Sequence, residues 1–599
     1  MFLKTHRRLK HGKTHCYYSI AENQRTTRGI VQRQVLYLGE INDSQREAWL
    51  RAISVFDEDT GSERQLALFP ATTPLPTHAA GHGIHVRLDA MELHRPRQWG
   101  ACWLATQLWS QLQLDSFWQP LLGTSREGTD WTKILQVLTT YRLLDPGSEW
   151  RLHRDWFQNT ALADLLDGDA ALAAKDTLYR CHDLLLPHKD ALFTHLANRW
   201  RDLFNPDYEV LLYDLTSTYF ESTPDFPEGD KRRFGYSRDK RSDCVQIVIA
   251  LVLTTEGFPL AYQVMPGNTI DNQTLRDFLS HIENQYGKAK RLWLMDRGIP
   301  TEKVLAEMRA SEPPASYLVG TPKGRLTQYE DRLLEQSWQQ VRPGVSVKLV
   351  ADEGETYVLA RSQDRVHKER AMRRRRLRRY LNTLQKLRLE RKRPLTRDHL
   401  LKAIGAAAQA AGHDAKHITL TLPPEGQPVT PDTFHYQINR PRLRQARRRE
   451  GRYLLRTNLN STDPGELWER YLQLVQVEEA FRTLKGDLGI RPIYHQLEAR
   501  IEAHILISFL AFALHTTLRA RLRELALGLT PRAVFEKMAT LQMIDVVFPT
   551  GDGRRLTLPR YTSPSAEVQL LLDRLKLTLP PQPRPHLSAP SAAPCSADL

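Results

Sequence analysis

Val210-Leu211-Leu212-Tyr213-Asp214, inside the longer run Glu209–Phe220, is an apolar strand pattern that carries a single carboxylate. Leu292-Trp293-Leu294-Met295-Asp296 repeats it, with the acid at its end. A carboxylate on a central strand is costly to desolvate unless a cation or several donors meet it. Taken singly, each acid has a plainer reading. Asp214 suits a turn cap through Thr216–Thr218, and Asp296 suits strand-end punctuation before Arg297-Gly298.

The surroundings of the two runs set the fold. Cys244–Leu253 is almost continuously apolar, and Phe258–Met265 is a strand pattern ended by Pro266-Gly267-Asn268. Thr274–Tyr286 reads as helix, Arg291–Met295 as strand, Thr301–Ala310 as helix and Ser316–Gly320 as strand. The order β-β-β-α-β-α-β predicts a mixed sheet with helices. A ribonuclease H-like fold has this order. Its first and fourth strands are neighbours, so Asp214 and Asp296 are expected to converge.

A third acid comes from a helix expected over Glu466–Asp487, whose Leu474, Val477, Phe481, Leu484 and Leu488 follow the spacing of a buried face. Glu478 points along that face, and Tyr471, Glu478 and Lys485 are spaced seven apart, about two turns each. Arg482 lies one turn beyond Glu478, and Glu479 is rotated toward solvent. The plainer reading is an i, i+4 pair Glu478–Arg482, worth about 0.2–0.5 kcal/mol. Three carboxylates suit two Mg²⁺ ions about 3.5–4 Å apart at a phosphodiester. Hard Mg²⁺ or Mn²⁺ takes oxygen ligands and needs no Cys or His.

Working outward, 599 residues with 41% hydrophobic composition predict a folded, multidomain α+β chain rather than a disordered one. The expected units are a small hairpin-plus-helix at 1–68, a linker at 69–85 and a helical unit at 86–205 that suits either internal packing or DNA binding. The catalytic core occupies 206–322 and resumes at 461–525, around a β-rich and helical insertion at 323–460. A C-terminal helical region at 526–578 and a disordered tail at 579–599 complete the chain. In detail, residues 16–40 predict a hairpin turning at Asn23–Gly29, followed by a helix near Asp43–Phe56. Five scattered cysteines without a CxxC pair exclude a disulfide framework and suit a reducing compartment. Met1–Lys13 lacks the apolar run of a signal peptide, and the apolar stretch Ile505–Leu514 is short for a bilayer. A soluble intracellular protein without membrane partners is expected.

The net charge of +15 points to a polyanion. Much of it sits in Lys368–Arg393, where thirteen Lys/Arg face two acids, a net of +11. Leu377, Tyr380, Leu381, Leu384 and Leu387 share one helical face there, so an amphipathic helix with a cationic back is expected. Arg373, Arg374, Arg375 and Arg376 are its expected phosphate contacts.

At Tyr213-Asp214-Leu215-Thr216-Ser217-Thr218, Gly267-Asn268-x-x-Asp271-x-x-Thr274, Asp296-Arg297-Gly298 and the last helix, the sequence resembles DDE transposases of bacterial insertion sequences. It looks most like the insertion-sequence-four superfamily, with its β-rich insertion before the Glu. That family's closing motif, Y-x2-R-x3-E-x6-K, reads here Tyr471, Leu474, Glu478, Lys485, with Leu in the Arg position. Arg491-Pro492-Ile493-x-His495 and Arg500-Ile501-x-Ala503-His504 look like a branch that often lacks the Arg.

The resemblance implies that Asp214, Asp296 and Glu478 hold two Mg²⁺ ions, with Mn²⁺ as a substitute. It implies that Tyr471 and Lys485, with Arg482, hold phosphates of the transposon end. Water attack would free 3′-hydroxyls at both ends, and these would attack target DNA. Double-stranded DNA, both transposon ends and target, is the implied partner, with two protomers pairing the ends in the bacterial cytoplasm at the nucleoid. Two other readings are a ribonuclease H-like metal-dependent nuclease without strand transfer and an inactive DNA-binding relic or repressor.

Overall fold

Residues 245–254, VQIVIALVLT, are buried at every position. Such a run is a strand covered on both faces. It pairs antiparallel with Pro259–Pro266 on one side and Val210–Phe220 on the other. Val210–Phe220 pairs in parallel with Leu292–Met295, which pairs in parallel with Ser316–Gly320. This places the first strand between the second and the fourth, the ribonuclease H-like order expected from the sequence. The computed structural model describes residues 2–10, 13–26, 29–40, 53–57, 62–70 and 83–588 of the 599, except 124, 126–127, 223–225, 271–274, 288, 297–298, 322–336, 353, 390–394 and 461–462.

The sheet continues past Ser316–Gly320 through Arg452–Thr457, Glu355–Ser362, Val345–Asp352 and Gln339–Arg342, all antiparallel, to nine strands among the described residues. The expected insertion at 323–460 is therefore split. Its strands extend the core sheet, with Val347, Val358 and Leu455 in the same core as Leu212 and Leu294. Among the described residues, those within 363–451 form a separate unit between Arg361 and Arg452, which face each other in register. This unit packs Tyr380, Leu384 and Leu387 of helix Gln363–Arg388 against Leu400 and Ile404 of helix Arg397–Ala411. The cationic helix starts earlier than expected because Ser362 caps it, its hydroxyl accepting from the Arg365 N–H at 3.4 Å. It ends at Arg388, and 390–394 lie outside the described residues.

The continuous helix expected over Glu466–Asp487 is two helices, Pro464–Leu472 and Val475–Lys485. At the junction the Leu474, Gln476 and Val477 N–H groups donate three residues back, to Tyr471, Gln473 and Leu474. Such 3₁₀-type turns redirect the axis. The first helix buries Leu467 and Trp468, and the second buries Val477, Ala480, Phe481 and Leu484. The next helix, Glu498–Leu525, is apolar and long enough to cross a bilayer, but 94% of its apolar window is buried inside the protein. It is the central core helix.

The two ends of the chain depart most from expectation. The hairpin forms from Lys13–Thr26 and Gly29–Glu40, with Phe2–Lys10 as a third strand. Of the helix expected near Asp43–Phe56, residues 41–52 lie outside the described residues and Ile53–Asp57 is a strand. Most of the 69–85 linker also lies outside them, and Gly83–Val86 is a strand. The C-terminal region expected to be helical contains strands Gln542–Pro549 and Arg555–Tyr561. These join Glu92–Gln98, His586–Ser588, Ile53–Asp57, Ser62–Pro70 and Gly83–Val86 in a sheet of seven strands among the described residues. Buried Asp545 is tolerated there because Arg97 of Glu92–Gln98 donates to both its oxygens at 2.8 and 3.0 Å. The start of the tail is ordered by the same sheet, with Leu587 buried, and 589–599 lie outside the described residues.

Candidate functional site

The parallel register pairs Met295 with Tyr213, so the next residues of both strands, Asp296 and Asp214, emerge together. Glu478 sits in the first turn of Val475–Lys485, where the helix dipole favours a carboxylate. All three acids line one cavity of about 310 Å³, with Gly320, Thr321, Arg365, Tyr453, Trp468 and Tyr471 among its other walls. The structure thus brings together the three carboxylates singled out in the sequence.

Their electrostatics differ. Asp214 is the most enclosed, and the Leu215 N–H donates to its Oδ1 at 2.7 Å. Burial pushes its carboxyl up to about 7, helped by the charges of Asp296 and Glu478 and opposed by the Leu215 N–H and Arg238. Asp296 and Glu478 are exposed to the cavity. Converging carboxylate oxygens match a hard divalent cation in ligand type and in sign.

Tyr471 lies in the cavity wall beside Glu478, with two aromatic neighbours that local spacing did not single out. Tyr453, Trp468 and Tyr471 form a ring cluster with centroids 4.8 to 6.4 Å apart. Trp468 lies one turn before Tyr471, a spacing visible in the sequence, whereas Tyr453 comes from the far strand. Arg365 also reaches the cavity, stacked 4.9 Å from the Tyr453 ring and bridged to Glu369 at 3.2 Å.

The other expected contacts are placed elsewhere. Lys485 Nζ is bound to Asp239 Oδ1 at 2.8 Å and is 13% exposed; burial pulls its ammonium below the ordinary range, against the pull of Asp239. Arg491 shares the same carboxylate. Arg482 is 79% exposed and pairs with Glu479 at 4.0 Å rather than with Glu478. It borders a different cavity, of about 400 Å³, beside Arg519, Arg523 and Arg532. Of Arg373–Arg376, two are internally paired, Arg373 with Glu450 and Arg376 with Asp414. Arg374 and Arg375 are exposed. Of the Gly267–Thr274 motif, Asp271 and Thr274 lie outside the described residues, as do Arg297 and Gly298. Gly267 lies so close to the Gln246 carbonyl that a Cβ would collide with it, and the Gln246 amide donates to the Gly267 carbonyl at 2.9 Å.

His495 and His504, noted as sequence motifs, meet Glu149 in a buried cluster. Glu149 Oε1 lies 3.4 Å from His182 Nε2, 3.3 Å from His495 Nε2 and 3.9 Å from His504 Nδ1. Glu149, His495 and His504 are spaced closely enough to hold a metal ion. However, Arg142 Nη2 stands 3.9 Å from Glu149 and 3.4 Å from His504 Nδ1, already balancing the carboxylate. A divalent ion there would leave uncompensated buried charge, so the cluster reads as an internal ion-pair network. Burial opposes ionisation of Glu149, yet the three histidines gathered around it hold it well below the usual carboxylate range. The cluster ties helices Trp131–Leu144 and Lys175–Leu185 to the core helix Glu498–Leu525.

Comparison with known proteins bears on this arrangement. The sequence family described as Transposase DDE domain matches residues 205–514. No curated protein matches the chain. Among solved structures, a cryo-EM structure of piggyBac transposase in a synaptic complex with hairpin DNA is similar over 75% of this chain and 82% of that one, at 10% identity and a TM-score of 0.33.

Proposed function

This chain belongs to the transposase DDE domain family, which spans 205–514, and on that premise we propose that it moves a bacterial insertion sequence by DNA cleavage and strand transfer. The observation that carries the proposal is the convergence of Asp214, Asp296 and Glu478 on one cavity. In this reading the three carboxylates hold two Mg²⁺ ions, which Mn²⁺ replaces. When bound, such ions activate the attacking oxygen and stabilise the leaving oxygen of a phosphodiester.

The chain's own residues supply the rest. The Leu215 N–H fixes the Asp214 carboxylate, and the start of the Val475–Lys485 helix favours ionised Glu478. Tyr453 and Tyr471, backed by the buried Trp468, exclude water on one side and offer ring faces to nucleotides. Water attack breaks the bond between phosphorus and the 3′-oxygen at each element end, leaving a 5′-phosphate on the flank, and the freed 3′-hydroxyl then attacks a target phosphorus in line and displaces that strand's own 3′-oxygen. Tyr471 and Lys485 contact end phosphates, Lys485 by exchanging Asp239 for phosphate, and Arg482 contacts DNA from the neighbouring cavity that it borders. Two protomers pair the ends of double-stranded DNA at the nucleoid, and the N-terminal units read the terminal repeats.

The test is a supercoiled donor carrying the element's terminal inverted repeats, incubated with protein, Mg²⁺ and target plasmid. Joined element–target products are expected. Hydrolysed donor without joined product would establish the plain nuclease instead, and an uncut donor the DNA-binding relic.

A further inference from the structure

Helix Arg440–Arg449 is an anomaly in the inserted unit. Its ten residues, RPRLRQARRR, hold six arginines and no acid, and none of the ten is buried. Core packing, the usual source of helical stability, is therefore nearly absent. Arginines spaced i, i+4 repel one another. Two features support it locally: the Asn439 side chain accepts from the Arg442 N–H at 3.1 Å, and Arg447–Arg449 lie at the dipole's negative end. Among the described residues Arg440, Arg442, Arg444, Arg447 and Arg448 have no carboxylate partner. The acid that follows the helix, Glu450, is already engaged by Arg370 and Arg373 of the first cationic helix.

The arginines are also organised. Arg440, Arg444 and Arg447 fall on one stripe at i, i+4 and i+7 and line a groove of about 890 Å³. Its remaining walls are neutral, including Thr419, Gln437 and Asn439. Arg440 to Arg447 spans about 10.5 Å along the helix axis. That length covers about three steps of a DNA strand at 3.4 Å each. The Glu450 pairs seat this helix against Gln363–Arg388, whose Arg374, Arg375, Arg378 and Arg379 are exposed and carry the same sign.

We propose that this groove is a second DNA-backbone site, in which Arg440, Arg444 and Arg447 each meet one phosphate of a DNA duplex outside the Asp214–Asp296–Glu478 cavity. It deepens the transposase reading and rests on it for the identity of the polyanion. Phosphate contacts of this kind position a duplex without reading its sequence.

The experiment uses the full-length protein and a 30-base-pair duplex lacking the terminal repeats, with affinity followed by fluorescence anisotropy across a KCl series. Each phosphate contact contributes a slope of about −0.9 in log K against log salt, so R440A/R444A/R447A is expected to flatten the slope by about 2.7. R440K/R444K/R447K is expected to restore it, because counterion release counts charges rather than guanidinium geometry. An alanine variant with the wild-type slope overturns the groove and leaves the transposase reading standing. Failure of the lysine variant to restore the slope, with a lowered melting temperature in both variants, makes the arginines structural and also overturns it. Slope loss on single-stranded RNA with none on the duplex overturns the choice of DNA. A wild-type protein that binds no duplex overturns both readings.

Discussion

Met295 is paired with Tyr213 across two parallel strands, and the register carries Asp296 and Asp214 out of the sheet as neighbours. Two residues far apart in the chain thereby share one electrostatic environment, and Glu478 completes it from a helix that follows the whole inserted unit.

Removing any of these carboxylates is expected to stop chemistry while leaving DNA binding intact. Asp214→Asn, Asp296→Asn and Glu478→Gln should each lower cleavage of an end-bearing substrate by at least about 10²–10³-fold, the range for losing one group aimed at developing charge. Gel-based cleavage beside anisotropy binding checks this. A variant cleaving near the wild-type rate removes that residue from the site.

Metal-free protein should carry a proton-linked cost at Asp214. Its folded pKa near 7 lies above the ordinary carboxylate value, chiefly through burial, so stability from this group is present at low pH and lost as pH rises toward 7. In EDTA, Asp214→Asn is therefore expected to raise Tm at pH 8 and leave it nearly unchanged at pH 4. Mg²⁺ must displace the same proton, so its affinity should fall up to about tenfold per pH unit below 7. Calorimetry in two buffers of different ionisation enthalpy measures the proton release.

The four consecutive arginines Arg373–Arg376 should separate by function. Arg373 is buried on Glu450, so Glu450→Gln leaves a buried cation without its partner and should cost about 3–5 kcal/mol in denaturant unfolding. Arg374→Ala with Arg375→Ala should change stability by no more than about 0.5 kcal/mol. The same pair should flatten the salt dependence of DNA binding by about 1.8 in slope if both meet phosphates.

His515 is buried, and desolvation, helped by the Arg519 charge, pulls its pKa down to about 3. Unfolded chains take up that proton near pH 6.5, so stability is full above 6.5 and falls as pH drops toward 3. His515→Gln should reduce the slope of unfolding free energy against pH between 6 and 4 by about 1.4 kcal/mol per unit. An unchanged slope would show that the imidazole titrates normally in the fold.

Strands buried on both faces were legible because their residues are apolar without interruption, as in Val245–Thr254, and their order predicts the neighbouring positions of Asp214 and Asp296. Periodicity also located the buried face of the Glu478 helix, but it missed the bend at Gln473-Leu474, since both halves keep an apolar face and only packing on different surfaces separates them. The cationic helix of the inserted unit was visible as a charge run, whereas the pairing of Arg373 with Glu450 was not, because the compensating acid lies 77 positions away along the chain. Strand pairing between Glu92–Gln98 and Gln542–Pro549 was equally invisible: each depends on a partner at the opposite end of the chain. The sequence by itself determined which residues are apolar, which are charged and at what local spacing, and hence the strands of the core and the three acids. Tertiary structure alone decided which cations remain available to an anion, because desolvation and pairing depend on contacts between distant segments that local spacing does not encode.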